Sequence, residues 1–200
     1  MQFPDLYRFP KGHPPSPYNH PVSVTDYSQA AGDVELLFQD FISDHVEPER
    51  IKRVLAGTRK GEATLPSELA LLAVGWLEAD GFEVGEVPGT VLDRLLANRD
   101  RVISDGTRGL HRCELCSPNQ PLPHFQWRDQ RYNIVGHGHY LIQYRDAVYM
   151  VPELLPHYLL EHRYRPPAEF VLAVVEGKFL QVADLVVDWV REWPIGHDAG

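Results

Sequence analysis

Apolar residues recur every three or four positions along several stretches of the first half of the chain, which is the spacing of an amphipathic helix. Such stretches follow Asp33, Pro66 and Thr90, and residues of these types are typical of helix starts. The buried stripe predicted behind Pro66 consists of Leu69, Leu72, Ala73, Trp76 and Leu77. The pattern therefore predicts a helical unit over residues 33–107.

The second half of the chain combines a strand pattern with further helix patterns. Residues 140–151 are rich in aromatic and β-branched side chains on both sides of a polar pair, which predicts a β-hairpin. Pro152 then stands where a helix can start, and a second short helix is expected to begin at Pro167. A final apolar stripe predicts an amphipathic helix over residues 178–193.

The first 32 residues carry six prolines with five aromatic residues between them. Proline at this density excludes a helix or a central strand, because proline has no amide hydrogen to donate. The aromatic residues distinguish the segment from a disordered tail, which is usually poor in them. We expect an extended arm, either ordered against the domain or available to a partner. The chain is thus predicted to be an α+β protein with an arm over 1–32, a helical unit over 33–107 and a ββα module with C-terminal helices over 108–200.

Length and composition place the chain among globular proteins. It has 200 residues, of which 44% are hydrophobic, so we expect it to fold and bury a core. It contains no run of about 18 apolar residues, which a membrane-spanning helix requires. Its amino terminus lacks the basic and apolar regions of a signal peptide. These features predict a soluble cytoplasmic protein that does not enter a membrane.

The formal net charge is −9, and this acidity restricts the choice of partner. Neutralisation of phosphates supplies most of the nonspecific affinity for nucleic acid, so an acidic chain is a poor candidate for such binding. A protein partner with a basic surface is the natural expectation, although acidity is also ordinary among soluble proteins. Residues 108–170 differ from the rest, since they hold seven arginines against six acidic residues.

The candidate chemistry lies in two cysteines and two histidines. Cys113 and Cys116 are separated by two residues, and His157 and His162 follow in a predicted helix. Two thiolates from a tight turn and two imidazoles from a helix end can complete the tetrahedral coordination that zinc prefers. Forty residues separate Cys116 from His157, whereas a DNA-reading finger has about a dozen. The sequence therefore predicts a zinc site with these four ligands, in a finger-like module that carries an extra loop.

A longer pattern surrounds these four residues. After the Cys-x-x-Cys pair comes a β segment ending in Tyr-x-x-Pro, followed by His-Tyr-x-x-x-His-x-Tyr-x-Pro-Pro-x-x-Phe. The residues that carry this pattern are Cys113, Cys116, Tyr149, Pro152, His157, Tyr158, His162, Tyr164, Pro166, Pro167 and Phe170. The pattern resembles a group of small uncharacterised bacterial proteins. The resemblance implies a zinc-finger-like module and lends no function to it.

Two alternative functions remain open at this point. An open metal site built from three of the cysteines and histidines, with His137 and His139 among the choices, would suit a zinc-dependent hydrolase with Glu153 or Glu161 as general base. A nucleic-acid reader would use the arginines around the metal site together with nearby aromatic residues. These arginines are Arg112, Arg128, Arg131, Arg145, Arg163 and Arg165.

Two further metal or thiol activities fit poorly. A zinc deaminase would use the His-x-Glu of His45 and Glu47, but Arg112 stands where a proline should precede the first cysteine. A thioredoxin-like centre would need a βαβ unit around the cysteine pair, and the pattern predicts none. The leading hypothesis is therefore a noncatalytic, zinc-stabilised binding protein, for example an acidic inhibitor or immunity-type protein acting on a basic toxin. A closed four-ligand site favours stability over catalysis.

Overall fold

The structure is a computed structural model that describes residues 4–8, 22–26, 59–65, 69–77, 81–104, 113–116, 124–134, 136 and 138–190. Within these ranges it contains both strands and helices, which confirms the α+β class. The strands are β1 (Tyr7–Arg8), β2 (Val22–Asp26), β3 (Arg59–Thr64), β4 (Ala70–Ala73), β5 (Ile103–Ser104), β6 (His124–Trp127), β7 (Gln130–Asn133), β8 (Gly138–Tyr144), β9 (Ala147–Pro152), β10 (Lys178–Leu180) and β11 (Val186–Val190). The helices are α1 (Gly89–Ala97), α2 (Leu155–Glu161) and α3 (Ala168–Glu176), with 3₁₀ turns at Arg99–Arg101 and Val182–Asp184.

A six-stranded sheet forms the centre of the fold. Its main path runs β1-β4-β9-β8-β10, and β5 also pairs with β8. Strand β4 lies parallel to β9, whereas the other neighbours are antiparallel. The predicted hairpin is confirmed as β8 and β9, whose register runs from His139 opposite Pro152 to Tyr144 opposite Ala147. Arg145 in the turn has a φ of 55°, as tight two-residue hairpin turns require.

Each face of this sheet is covered by its own hydrophobic core. Successive residues of a strand point to opposite faces, so Tyr140 and Ile142 of β8 face one core and Leu141 faces the other. The first core contains buried residues of all three described helices. The second contains Val148 and Met150 of β9, with residues near β11 packed against it. The helices, and the histidines of α2 with them, therefore lie on the first face.

Two smaller sheets complete the described part of the chain. Strands β11, β3 and β2 form an antiparallel sheet in that order. Strands β6 and β7 form a hairpin whose Phe125 is buried and stacks on Tyr132, with ring centroids 5.3 Å apart. Strand β6 also contacts α2. This second hairpin lies between the cysteines and the histidines in sequence and joins the same core as α2.

The described parts of the proline-rich arm contribute two strands, and a turn over residues 4–7, with Leu6 at a φ of 61°, precedes the first of them. Strand β1 is an edge of the six-stranded sheet, and β2 is an edge of the three-stranded sheet. Edge positions tolerate nearby proline because one side of the strand needs no hydrogen-bond donors. The central sheet takes β1 from the predicted arm, β4 and β5 from the predicted helical unit, and β8 to β10 from the predicted module. The boundaries of those three segments remain a prediction.

The helix predicted behind Pro66 is wrong, because Ala70–Ala73 forms β4. Leu71 and Ala73 belong to the second core while Leu72 packs against the first, so the strand is covered on both faces. A short apolar run covered on both sides shows no alternation, and its pattern cannot be distinguished from that of a helix. Its parallel pairing with β9 decides the structure.

The predicted C-terminal amphipathic helix is also wrong over the described residues. Lys178–Leu180 forms β10, and Val186–Val190 forms β11 opposite β3. The sequence Val-Val-Asp-Trp-Val is rich in β-branched and aromatic residues, which favour a strand wherever a partner strand is available.

The other helix predictions have mixed outcomes. The helices expected from Thr90 and Pro167 are confirmed as α1 and α3, whereas Pro152 ends β9 and α2 begins at Leu155. The helix predicted behind Asp33 lies outside the described residues. In the part of the chain that the structure describes, no helix has the length and hydrophobicity needed to cross a membrane.

Candidate metal centre

The two cysteines lie on one turn. The amide of Cys116 donates to the carbonyl oxygen of Cys113, with an N–O distance of 3.3 Å, and this bond closes the turn. Neither cysteine is in a disulfide; Cys113 is buried and Cys116 is half-buried. A turn of this kind presents two sulfur ligands to one ion from a short piece of backbone.

Helix α2 carries the first histidine. Leu155, Tyr158 and Leu159 of this helix are buried in the first core and fix its orientation on the sheet. Pro156 lies in the first turn, where its missing amide hydrogen costs nothing. His157 follows and is itself only 3% exposed. Burial of an imidazole at this level is unusual unless the ring has a specific polar partner or a metal.

His162 lies where α2 ends, and the helix end determines its direction. On a regular helix, residues five apart are separated by about 140° around the axis, so His157 and His162 would point apart. The chain leaves the helix at His162, with φ −108° and ψ 0°, and Arg163 has a left-handed φ of 52°. The amides of His162 and Tyr164 both donate to the carbonyl oxygen of Tyr158, at 3.2 and 3.0 Å. The irregular helix end therefore brings together two imidazoles that a continued helix would separate.

The four side chains converge on one point. Their ligand atoms all lie within 4.8 Å of one another. The two Nε2 atoms of His157 and His162 are 3.2 Å apart, and each lies close to sulfur: His162 to Cys113 at 3.2 Å, His157 to Cys116 at 3.3 Å and His162 to Cys116 at 3.4 Å. Tetrahedral zinc with ordinary bond lengths has N–N edges of about 3.3 Å and N–S edges of about 3.6 Å. These four of the six edges are within a few tenths of an ångström of that tetrahedron, and all six are within 4.8 Å.

Hydrogen bonds alone do not account for this cluster. Nε2 of His162 lies within 3.4 Å of three polar atoms, namely Sγ of Cys113, Sγ of Cys116 and Nε2 of His157. A ring nitrogen of a neutral imidazole offers either one hydrogen or one lone pair. One such atom cannot satisfy three neighbours at once, whereas a cation at the common centre contacts all four ligands. The arrangement is that of a metal-binding site, and its donor atoms are compatible with zinc.

Burial sets the protonation of the site in the absence of metal. It raises the pKa of the Cys113 thiol to about 11, and it lowers the pKa of His162. Both shifts favour the neutral group, because burial disfavours charge of either sign. A neutral imidazole is the form that binds a metal, while the thiol must lose its proton to do so. A divalent cation would supply the charge that stabilises the thiolate.

Residues remote in sequence hold the turn that follows His162. Tyr164 is fully buried, and its hydroxyl donates to Oδ2 of Asp5 at 2.6 Å. Burial, and then the bond to Asp5, raise the pKa of Tyr164 far above its usual value, so the hydroxyl remains a donor. The sequence offered no signal for this contact, because Asp5 precedes Tyr164 by 159 residues. The left-handed φ of Arg163 likewise has no sequence signal, because arginine rarely adopts this conformation.

The structure places the alternative ligands elsewhere or does not describe them. His139 alternates with Tyr140 on β8, so it points to the second face of the sheet, away from α2. His137 lies outside the described residues. Within those residues the cluster of potential metal ligands around the site consists of two cysteines and two histidines, without a carboxylate.

The fold and the site define an α+β domain with a candidate Cys₂His₂ metal centre between a cysteine turn and a helix end. A model of the family described as Domain of unknown function (DUF7919) matches residues 44–175. The chain therefore belongs to the DUF7919 family, and the match includes all four candidate ligands. No curated protein and no solved structure matches the chain.

Proposed function

We propose that this chain is a zinc-stabilised binding protein whose metal is structural. The observation that carries the proposal is the four-ligand set: two sulfur and two nitrogen atoms lie within 4.8 Å of one another, and four of their six separations are 3.2–3.4 Å. A catalytic zinc usually has three protein ligands and keeps the fourth position for water or substrate. With four protein ligands the ion has no open position, so its role is to connect parts of the chain.

Zinc is favoured over other ions by the donor atoms. Paired thiolates and imidazoles in a tetrahedron suit zinc, whereas magnesium and calcium take oxygen ligands at higher coordination numbers. The ion would tie the 113–116 turn to the end of α2 across forty intervening residues. Because the ion binds the folded site, its binding free energy adds to the stability of the fold.

The binding role is supported by charge. The full chain carries a net charge of −9, which favours association with a basic surface and disfavours phosphate-rich partners. We propose a cytoplasmic protein whose partner is another protein with a basic surface. An acidic inhibitor or immunity-type protein acting on a basic toxin is one concrete form of this role.

Metal analysis tests the first half of the proposal. Protein purified without added metal should contain about one zinc per chain, and cobalt substitution should give the visible absorption of a tetrahedral site with thiolate ligands. Cys113→Ser should lose the zinc and much of the thermal stability. His139→Gln is the matched control, because His139 is a buried histidine on the opposite face of the sheet. Octahedral cobalt spectra, or full zinc in Cys113→Ser, would contradict the proposed site.

Partner capture tests the second half. Immobilised full-length chain is exposed to a nuclease-treated extract of its own cells, and retained proteins are identified after elution with increasing salt. We expect a basic protein that elutes at raised salt and is not retained by the zinc-free Cys113→Ser variant. A partner that is retained from untreated extract and lost from nuclease-treated extract would favour the nucleic-acid alternative, and zinc-dependent hydrolysis by the pure protein would favour the hydrolase.

A further inference from the structure

The amino-terminal arm is anchored beside the metal centre by one carboxylate. Asp5 accepts two hydrogen bonds: Oδ2 from the hydroxyl of Tyr164 at 2.6 Å, and Oδ1 from the amide of Gly75 at 3.0 Å. Hydrogen bonds to an ionised group are shorter and stronger than those between neutral groups. Tyr164 is fully buried with the arm in place, and departure of the arm would break its hydrogen bond to Asp5.

The backbone of the arm continues this attachment. The amide of Leu6 donates to the carbonyl oxygen of Ala73 at 2.8 Å, and Tyr7 and Arg8 pair with β4 as strand β1. Among the described residues of the arm, the strand pairing with β4 consists of Tyr7 and Arg8. The carboxylate of Asp5 is therefore an important part of what holds residues 4–8 on the domain.

The tyrosine that receives the arm belongs to the turn that aims a metal ligand. Tyr164 lies two residues after His162, and both amides donate to the carbonyl oxygen of Tyr158. The backbone of Tyr164 also forms an antiparallel β-bridge with Val84. Its ring makes an edge contact with the ring of Phe82, with centroids 6.0 Å apart. Only Arg163 separates His162 from Tyr164, so one short irregular segment of backbone carries both side chains.

We propose that metal binding and docking of residues 4–8 are energetically coupled through the turn from His162 to Tyr164. This inference rests on the proposed metal centre. Metal binding orders the turn and places the hydroxyl of Tyr164 for Asp5; docking of Asp5 orders the same turn and places His162 for the metal. Each event lowers the entropic cost of the other, and coupling of this kind must be reciprocal. The attachment of residues 4–8 to the domain thus depends on whether the metal is present.

Hydrogen exchange of the full-length chain measures one direction of the coupling. The amides of Leu6 and Gly75 report on docking, because each donates across the contact between arm and domain. We expect both to exchange at least about fivefold faster after chelation than with zinc bound, in line with typical coupling strengths. Amides in the centre of β8 provide the internal reference. Equal exchange of Leu6 and Gly75 in the two states would overturn the inference.

Zinc affinity measures the opposite direction. Tyr164→Phe removes only the hydroxyl that binds Asp5, and Asp5→Ala removes the carboxylate itself. Both variants should raise the zinc Kd by about fivefold or more in competition with a chelator. Tyr144→Phe is the matched control, since it removes a hydroxyl that donates to Glu176 at 2.8 Å, far along the chain from the ligands. A Kd within twofold of the unaltered chain in both test variants would overturn the inference.

A second control separates coupling from a general loss of stability. Val174→Ala removes part of a fully buried side chain in α3, without touching the arm or the metal turn. It should lower the thermal stability and leave the zinc Kd unchanged; an equal rise in Kd for Val174→Ala would refute coupling through the turn. If the unaltered chain binds no zinc, the proposed function fails. If it binds zinc but the arm does not respond, the inference alone fails.

Discussion

At the residue scale, the candidate site consists of four side chains whose ligand atoms lie within 4.8 Å of one another. Each contributes one atom, and the loss of any one leaves three ligands and an open position. Sulfur contributes most to the preference for zinc, because thiolate ligands select zinc over the oxygen-seeking cations of the cell. Substitution of a single ligand is therefore expected to lower zinc affinity and stability strongly, although it changes the side-chain volume little.

Replacement of Cys113 by serine should remove most of the metal-dependent stability. A metal that binds only the native chain adds about 4 kcal/mol when its free concentration is about a thousand times its Kd. We expect Cys113→Ser to lower the free energy of unfolding by about that amount in zinc-containing buffer, measured by chemical denaturation. In the presence of a strong chelator the variant and the unaltered chain should unfold alike, and a persistent large difference would show that the cysteine acts through packing instead.

The apparent zinc affinity should rise with pH. Without metal, the pKa of Cys113 is raised to about 11, so the thiol holds its proton at neutral pH and releases it when zinc binds. His162 contributes no proton there, because burial lowers its pKa and the ring is already neutral. The association constant should therefore increase by at least about tenfold from pH 7 to pH 8. Competition with a chelator of known pH dependence measures this, and a flat profile would contradict thiolate coordination.

At the element scale, the end of α2 is the critical feature. A longer helix would separate the two imidazoles, and a looser end would leave His162 without a fixed direction. The turn is made by a non-glycine residue with a positive φ, Arg163 at 52°. A positive φ is unfavourable for L-amino acids in general, and most of all for those branched at Cβ, such as valine.

Substitution of Arg163 tests the importance of this helix end. Arg163→Gly should keep or slightly improve stability and zinc binding, because glycine adopts the left-handed region freely. Arg163→Val should cost about 1–2 kcal/mol and should also weaken zinc binding, because it shifts the turn that aims His162. Arg145→Val is the control, since Arg145 has a similar φ of 55° in the β8–β9 turn. It should lose stability with an unchanged zinc Kd, as measured by denaturation and chelator competition.

The helix predictions failed where a segment becomes a strand because it pairs with another strand distant in sequence. The apolar stripe from Leu69 to Leu77 has helical spacing, yet residues 70–73 complete a parallel pair with β9. The stripe after Lys178 is likewise divided between β10 and β11, each of which pairs with a strand far away in sequence. Helices α1 and α3 and the β8–β9 hairpin were predictable, because their hydrogen bonds join residues close together in the chain.

At the scale of the whole molecule, the central sheet and the metal centre depend on different forces. Strands β8 and β9 are buried between two hydrophobic cores that consist mainly of apolar side chains, and the first of them includes the candidate ligand Cys113. The 113–116 turn, in contrast, is one short segment that contributes buried Cys113 to the first core, with Leu115 and Cys116 partly buried against it. The ion would thus be most important at the margin of the fold.

Metal removal should therefore open one region of the molecule and leave the rest folded at 25 °C. We expect chelation to lower the melting temperature and to speed hydrogen exchange in 113–116 and α2, while the amides of β8 and β9 stay protected. Hydrogen exchange with peptide resolution measures the exchange rates of 113–116 and α2 and those of β8 and β9 in one experiment. A chain that loses its far-ultraviolet circular dichroism on chelation would show that the whole fold depends on the ion, and one that keeps its melting temperature would show that the metal is not structural.

The sequence by itself determined the kind of donor atoms, the Cys-x-x-Cys spacing, the hairpin before α2, and the existence of helices near Thr90 and after Pro167, although α1 begins at Gly89, one residue before Thr90. All of these depend on turn chemistry, proline geometry or periodicity within a few residues. The tertiary structure alone decided that β4 and β11 are strands, that two sulfurs and two imidazoles forty residues apart meet within 4.8 Å, and that Asp5 binds Tyr164. The physical reason is that strand pairing and coordination need groups supplied by distant parts of the chain, and their positions are set only when the two cores pack.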